Sequence, residues 1–292
     1  MSESNGTGRR LPRRPYGRTG VELSIVGMGG LVVIGMAQDE ANAIVAEAVE
    51  RGVNYFDVAP SYGDGEAEEK LGPALEPHRG GVFLACKTGK RDAEGAAREL
   101  AGSLERLRTD HFDLYQFHGI TRMEDVDRIF APGGAMEVFL AARDEGTVQH
   151  LGFSAHSVEA ALAMLDRFAF DSILFPVNHV CYAQGGFGPQ IVERARERGT
   201  ARLALKAMAR TVKGEGPHKY PKCWYQPVDD PDLARQALRF TLSEDITACV
   251  PPGDERLFRQ AVELMTDFEP LTPAEREALL AGTDGVKPIF TN

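Results

Sequence analysis

Residues 53–86 read VNYFDVAPSYGDGEAEEKLGPALEPHRGGVFLAC and contain one complete strand–helix–strand unit. The segments 53–57 and 82–86 are short apolar runs of the kind found in buried strands. Between them, residues 66–75 have the apolar spacing of an amphipathic helix. Two strands joined by a helix of this length lie parallel in one sheet, so the unit predicts an α/β fold.

The same alternation continues along the whole chain. Strands are predicted at residues 23–27, 53–57, 82–86, 112–117, 148–153, 172–175, 202–205 and 247–250. Helices are predicted at residues 39–51, 66–75, 93–107, 135–145, 158–167, 189–198, 231–243 and 255–268. Eight strands that are each followed by a helix predict a closed (β/α)8 TIM barrel. An open doubly wound sheet is less favoured because no Gly-x-Gly-x-x-Gly sequence opens the first helix.

The two ends of the chain extend this barrel. Residues 14–24, with Gly17 and Gly20, predict a short β-hairpin that seals the barrel floor, and residues 274–281 predict a last helix in a short C-terminal tail. We expect residues 1–13 to be a disordered tail and residues 14–292 to form a single barrel domain. The arginines before the uncharged stretch 23–38 imitate a signal peptide, but Glu22 and the following glycines favour a buried strand with a glycine-rich exit.

Composition narrows the classes of partner. The formal net charge is −10, which disfavours nucleic acid and anionic membrane surfaces as main partners. The four cysteines are far apart and form no Cys-x-x-Cys pair, so we expect a reducing, cytoplasmic setting. His111 and His118 lack an accompanying carboxylate cluster, and no metal site is predicted.

Four polar side chains fall where predicted strands end. Asp57 ends the second strand and Tyr62 lies in the loop behind it, whereas Lys87 and His118 directly follow the third and fourth strands. Singly, each has an ordinary structural explanation as a turn former, a packed ring, a solvated amine or a structural histidine. Because strand ends converge on one face of a barrel, the four together predict a catalytic pocket.

These four residue types suit carbonyl chemistry. A free tyrosine has a pKa of about 10, and a lysine ammonium beside the phenol is expected to lower it. Asp57 is expected to hold Lys87 charged and in place, and His118 to orient a carbonyl oxygen. This set of groups can reduce a carbonyl to an alcohol or perform the reverse reaction.

Longer motifs carry a family resemblance. The segment 52–63 reads GVNYFDVAPSYG and is followed by Glu66, Glu69, Leu71 and Gly72. With Lys87-Thr88, residues 113–118 (DLYQFH), residues 152–154 (GFS) and residues 16–20 (YGRTG), it resembles the aldo-keto reductases over about residues 14–268. The resemblance implies a barrel that binds NADP(H) without a Rossmann motif, with Tyr62 as general acid, Lys87 and Asp57 tuning it, and His118 polarising the substrate carbonyl.

The resemblance also implies a set of cofactor-binding residues: Gly29, Asp57, Ser154, Asn178, Lys206, Met208, Gly253 and Arg256. The chain departs from the family pattern at several of them. Ala155 stands where the family has Asn, Asn178 replaces a Gln, and Lys206 and Met208 lie where an aromatic ring often stacks on the nicotinamide. Arg256, beside two acids, is the expected partner of a 2′-phosphate. NADP(H) is therefore predicted, with NAD(H) as the alternative.

The connection at residues 209–229 is far longer than the usual loop between strand and helix. It contains Trp224, the only tryptophan of the chain. We expect Trp224 to bind substrate together with Tyr62 and His118. A surface excursion held in place by its aromatic residues is the alternative.

The sequence thus predicts an NADP(H)-dependent oxidoreductase that interconverts a small aldehyde or ketone and its alcohol. One alternative is a Schiff-base lyase with Lys87 as nucleophile, which Asp57 disfavours by keeping the amine protonated. Another is a regulatory barrel that binds the cofactor with little catalysis. The sequence leaves the substrate and the oligomeric state open, and a monomer is compatible with it.

Overall fold

The computed structural model describes residues 10–292. The strands are β1 (Arg13–Pro15), β2 (Glu22–Ser24), β3 (Met28–Gly29), β4 (Tyr55–Asp57), β5 (Phe83–Thr88), β6 (Phe112–Ile120), β7 (Val148–Ala155), β8 (Ser172–Pro176), β9 (Ala201–Leu205), β10 (Ala209–Val212), β11 (Tyr225–Pro227) and β12 (Ala248–Val250). The α-helices are α1 (Gln38–Glu50), α2 (Glu66–Leu75), α3 (Ala93–Arg106), α4 (Met123–Phe130), α5 (Ala135–Asp144), α6 (Val158–Arg167), α7 (His179–Gly185), α8 (Pro189–Arg198), α9 (Pro231–Ser243), α10 (Glu255–Met265) and α11 (Pro273–Ala281).

Within the described residues, eight parallel strands lie in the order β3–β4–β5–β6–β7–β8–β9–β12. The last strand returns to the first, because the Gly27 amide donates to the Cys249 carbonyl at 2.9 Å and the Cys249 amide donates to Ile25 at 2.9 Å. These bonds close the sheet into a ring. The predicted (β/α)8 barrel is confirmed.

The N-terminal hairpin is also confirmed. Strands β1 and β2 pair antiparallel, with Arg13 opposite Ser24. Tyr16 and Leu23 are fully buried and pack against Tyr55 and Leu114 inside the barrel. The hairpin therefore closes the floor and contributes to the inner core.

The boundary between hairpin and barrel differs from the prediction. Residues 23–27 were expected to be the first barrel strand, but Leu23 belongs to β2 and the barrel strand β3 covers only Met28–Gly29. The chain bends at Ile25, because the Ser24 amide bonds to Asn54 Oδ1 at 2.7 Å and the Ser24 hydroxyl to the Val26 carbonyl at 2.8 Å. One apolar run thus serves two sheets.

A second, larger core lies between the sheet and the helices. Outward-facing strand residues such as Phe117 and Phe153 pack there, and the Phe117 ring stacks on Phe139 of α5 with 3.8 Å between centroids. Side chains cap two of the helices, since Ser157 accepts from the Ala160 amide at 3.3 Å and Asp230 from the Leu233 amide at 2.9 Å. Such caps satisfy amides that a helix cannot bond internally.

Other differences concern elements and ends. Helices α4 and α7 and the hairpin β10–β11 were not predicted, and α10 ends at Met265 instead of residue 268. Strands β5 and β6 extend past their predicted ends, so Lys87 and His118 lie within strands. Of the predicted disordered tail, Leu11 is buried and Arg13 begins β1, while residues 1–9 lie outside the described residues. No helix in the described part of the chain is long and apolar enough to cross a membrane.

Candidate active site

A cavity of about 280 Å³ lies at the carboxyl ends of the barrel strands. Its wall includes all four side chains that were expected to converge: Asp57, Tyr62, Lys87 and His118. Asp57 ends β4, Lys87 lies near the end of β5 and His118 near the end of β6, so three neighbouring strands present them to one space. Tyr62 enters from the turn that leads into α2.

The ion pair between Asp57 and Lys87 forms the base of this cavity. The Lys87 ammonium donates to Asp57 Oδ1 and, at 3.0 Å, to the Val58 carbonyl. Lys87 is 1% exposed and Asp57 is 2% exposed. Burial is the largest single influence and lowers the pKa of the Lys87 amine, but the charge and hydrogen bond of Asp57, together with Tyr62, raise it by more, so the net pKa lies above its ordinary value. Lys87 is therefore a charged ammonium.

The second Asp57 oxygen is held by two residues that the sequence reasoning missed. Gln116 Nε2 donates to Asp57 Oδ2 at 3.0 Å and the Tyr55 hydroxyl donates to it at 3.2 Å. Strand periodicity carries the signal for both, because Tyr55 is two residues before Asp57 and Gln116 two before His118. Residues at i and i+2 share one face of a strand. The carboxylate is thus fixed by hydrogen bonds at both oxygens.

Tyr62 is placed between the ammonium and the histidine. Lys87 Nζ lies 5.1 Å from the centroid of the Tyr62 ring, and the Tyr62 and His118 ring centroids are 5.7 Å apart in an edge-to-face arrangement. Burial disfavours the phenolate and raises the pKa of Tyr62, whereas the Lys87 charge opposes this by less, so the net pKa is raised. The expectation of a lowered pKa was wrong, because desolvation exceeds the effect of the ammonium. Tyr62 is a protonated phenol at neutral pH.

His118 is neutral in this environment. Burial lowers the pKa of its imidazole to about 3, and the nearby Lys87 charge acts in the same direction. Its Nδ1 lies 3.5 Å from the Ser61 hydroxyl, and its backbone carbonyl accepts from Arg91 at 2.8 Å. A neutral imidazole keeps one ring N–H as a donor. His118 can therefore donate a hydrogen bond to an oxygen in the cavity without carrying charge.

Several of the expected cofactor residues line the same cavity: Gly29, Ser154, Lys206 and Gly253. Ser154 Oγ accepts from the Gly119 amide at 2.7 Å. A Cβ at Gly29 would lie 2.9 Å from Val250 Cγ1, and one at Gly253 would collide with Leu31 Cβ. The two glycines therefore allow Val250 and Leu31 to pack directly against the backbone at the cavity wall.

Asn178, Met208 and Arg256 are absent from the cavity wall. Asn178 is fully buried and caps α7, accepting from the Cys181 amide at 2.9 Å. Met208 is buried in the outer core. Arg256 lies on a neighbouring groove, where its guanidinium is bonded to Asp254 at 2.8 and 2.9 Å. Asn178 and Met208 are committed to structural contacts, and Arg256 already has a carboxylate partner.

The long connection folds over the mouth of the cavity as the hairpin β10–β11. Trp224 is 53% exposed, yet it lines the cavity and its ring lies 5.8 Å from that of Phe290. Lys222 fastens the connection to the first loop, donating to the Val32 carbonyl at 2.8 Å. Other lining residues missed from sequence are Leu205, His156, Cys223 and Tyr225. Within residues 10–292, no group of three or more His, Cys, Asp or Glu side chains is arranged to hold a metal ion.

Comparisons with known proteins bear on the family and the fold of the chain. The model of the Aldo/keto reductase family matches residues 26–183. An uncharacterised oxidoreductase of Bacillus subtilis is 32% identical over 157 residues, covering 50% of this chain and 49% of that protein. L-galactose dehydrogenase of Arabidopsis thaliana is 30% identical over 171 residues, covering 54% and 53%. The chain thus spans about half the length of the curated relatives it matches.

Solved structures share the fold over nearly the whole chain. The holo form of an aldo-keto reductase from Bacillus halodurans superimposes with a TM-score of 0.76 at 22% identity, covering 96% of this chain and 99% of that one. A thermostable aldo-keto reductase in complex with the inhibitor epalrestat gives a TM-score of 0.69 at 18% identity, covering 93% and 99%. At these identities the likeness establishes the barrel fold.

Proposed function

The chain belongs to the Aldo/keto reductase family, and on that premise we propose that it is an NADP(H)-dependent oxidoreductase acting on a small aldehyde or ketone and its alcohol. The observation that carries the proposal is the convergence of Asp57, Lys87, Tyr62 and His118 on one cavity. The set combines a proton donor, a charge that stabilises its anion, and a neutral donor for a carbonyl oxygen.

The four residues divide the work on the carbonyl group. The nicotinamide cofactor, when bound, supplies or accepts the hydride at the carbonyl carbon. His118 donates a hydrogen bond to the carbonyl oxygen and stabilises the negative charge that develops there. Tyr62 transfers its phenolic proton to that oxygen, which completes the alcohol, and regains a proton from solvent. In the reverse direction the Tyr62 phenolate accepts the hydroxyl proton.

Lys87 and Asp57 make this proton transfer possible. The phenolate that remains after transfer lies beside the Lys87 ammonium, whose charge lowers the energy of that anion. Asp57 keeps Lys87 protonated and fixes its position. The same ion pair disfavours the Schiff-base lyase, because a protonated amine is not a nucleophile. The complete set of groups likewise supports an active enzyme over a regulatory barrel.

The chain offers a cradle that fits a nicotinamide dinucleotide. We assign Ser154 and Gly29 to the nicotinamide half and Gly253 to the phosphate half. A second groove of about 600 Å³ shares Lys222 with the main cavity and contains Arg256. This groove supports the choice of NADP(H), because a 2′-phosphate placed there can accept hydrogen bonds from the Arg256 guanidinium. The phosphate would share that guanidinium with Asp254.

A substrate screen tests the proposal. Purified protein is incubated with NADPH or NADH and a panel of small aldehydes and ketones, and loss of the reduced cofactor's absorbance is followed. We expect carbonyl-dependent oxidation of NADPH in preference to NADH. Oxidation of neither cofactor by any carbonyl would refute the proposed activity.

The four cysteines are buried and unpaired, which supports our proposal of a reducing, cytoplasmic setting.

A further inference from the structure

Lys206 occupies an unusual position in the cavity wall. It directly follows β9 with φ at +67°, in the left-handed region that non-glycine residues rarely adopt. Its Nζ lies 5.4 Å from the Trp224 ring centroid and 5.1 Å from that of Tyr225. The ammonium lies over the faces of both rings, and the side chain lines the cavity.

The ammonium lacks an acidic partner. No carboxylate lies within ion-pair distance of Lys206 in residues 10–292. Among the residues that line the cavity, Asp57 is the one carboxylate, and Lys87, Gln116 and Tyr55 already occupy it. Burial lowers the pKa of the Lys206 amine to about 8, so most of it remains charged at neutral pH. A partly buried cation without a counter-ion is destabilising unless a ligand supplies the anion.

Lys206 lies at the catalytic end of the cavity. Its charge acts on His118 and on His156, which also lines the cavity and whose pKa burial lowers to about 4. The His156 ring lies 5.1 Å from Phe290, which in turn contacts Trp224. Lys206, His156 and the aromatic rings thus enclose the space next to His118. A carbonyl substrate whose oxygen reaches His118 extends its substituents into that space.

The phosphates of a dinucleotide have other candidate partners. Lys222 lies on the wall shared with the second groove, 3.8 Å from Glu255 and bonded to the Val32 carbonyl. Gly253 and Arg256 lie on the same side. These groups offer the cofactor's phosphates partners other than Lys206.

We propose that Lys206, assisted by His156, binds an anionic oxygen group, a carboxylate or a phosphate, carried by the carbonyl substrate. The substrate class is then an aldehyde or ketone with a negatively charged substituent. The inference rests on the proposed reductase function, because it assigns the anion to the molecule that this reaction reduces. It gives Lys206 a role in substrate specificity in place of the cofactor contact that the family resemblance implies.

A matched pair of compounds tests the assignment. 4-Carboxybenzaldehyde and its methyl ester are close in shape and differ in charge. Each is titrated into the NADP+-bound protein, which has no hydride to transfer and so cannot reduce it, and binding is followed by the fluorescence of Trp224, the only tryptophan. We expect the carboxylate to bind about 10- to 100-fold more tightly than the ester, as a charge-assisted hydrogen bond provides. Lys206→Met, which adds no β-branch at the left-handed position, should remove this preference, and Lys206→Arg should restore much of it.

Three results would overturn the inference. These are equal affinities of wild type for the two compounds, no saturable binding of the carboxylate, and a Lys206→Met variant that loses affinity for NADPH and for both aldehydes by the same factor. The last result assigns the amine to the cofactor's diphosphate. Because binding is read without turnover, a carboxylate preference with no reduction of either compound contradicts the proposed function and leaves the anion site in place.

Discussion

The buried ion pair between Asp57 and Lys87 allows the sharpest energetic prediction. Asp57→Asn removes the carboxylate charge at nearly constant shape and leaves a lysine that is 1% exposed with neutral acceptors alone, the introduced amide oxygen and the Val58 carbonyl. Lys87→Met leaves the converse, a buried carboxylate with Tyr55 and Gln116 as donors. Each single variant therefore strands one charge in the protein interior.

Breaking a buried pair from one side costs about 3–5 kcal/mol of the free energy of unfolding. For a chain of this size we expect Tm to fall by roughly 6–20 °C in each single variant. The double variant Asp57→Asn/Lys87→Met buries no unpaired charge. Its cost should therefore be no larger than that of either single variant. All three variants should lose turnover, because Lys87→Met removes the ammonium beside Tyr62 and Asp57→Asn removes the carboxylate that keeps Lys87 protonated and in place.

Urea unfolding of the four proteins measures this coupling. Asp166→Asn is the matched control, because Asp166 pairs with Arg194 at 2.6 Å and Arg198 at 2.7 Å on the surface, where loss of a pair costs about 1 kcal/mol or less. If the two single-variant costs simply add in the double variant, the pair does not act as a unit and the reasoning is refuted. Full turnover in the double variant would refute its role in catalysis.

Three further predictions concern the ligands. Trp224→Ala should raise KM for the carbonyl substrate several-fold in steady-state assays while the Kd of NADPH stays the same, and Trp224→Phe should leave KM close to the wild-type value. An unaltered KM with only a lower Tm would show that the connection at residues 209–229 has a structural role. Arg256→Ala should weaken NADPH more than NADH in fluorescence titrations, and equal weakening removes Arg256 from the 2′-phosphate site. Burial lowers the pKa of Lys206 to about 8, so its cation is lost as pH rises. The affinity for 4-carboxybenzaldehyde should therefore fall above about pH 8, and the affinity for the methyl ester should not change. A ratio of the two affinities that does not depend on pH would contradict the role of Lys206. The titratable groups around Lys206 keep their protonation states near pH 8, because their pKa values are shifted away from it. These groups are Lys87, Cys223, Tyr225, His118 and His156.

Local periodicity was enough to predict the barrel and the convergence of its polar side chains. Asp57, Lys87 and His118 are near the ends of neighbouring strands, and parallel strands bring equivalent ends to one face whatever the details of packing. Because residues at i and i+2 share one face of a strand, the predicted residues also point to further site residues. His118 points to Gln116, Asp57 to Tyr55, and Ser154 to His156.

Features that depend on tertiary contacts could not be predicted in this way. Lys222 reaches the cavity because it bonds to the Val32 carbonyl, a partner distant in sequence. Lys206 has a left-handed backbone conformation. Two residues later, Met208 is buried in the core and does not face the cavity. The direction of the Tyr62 pKa shift needs both the extent of burial and the distance of the Lys87 ammonium from the ring.

Asn178 illustrates how one residue type fits two roles. A short amide after a strand suits a ligand contact, but it equally suits the first position before a helix, where its oxygen accepts a free amide. The chain uses it for the cap of α7, with Oδ1 2.9 Å from the Cys181 amide. Since α7 was not predicted from sequence, the capping role could not be weighed against the ligand role.

The most direct test of the central claim is a comparison of Tyr62→Phe with wild type in two measurements on the same samples. Tyr62→Phe should bind NADPH with nearly wild-type Kd in a fluorescence titration, because the ring remains beside Lys87 and His118. Its kcat for carbonyl reduction should fall by roughly 10²–10⁴-fold, the usual consequence of losing a general acid. A kcat within a few-fold of wild type would contradict the assignment of Tyr62 as proton donor and the mechanism built on it.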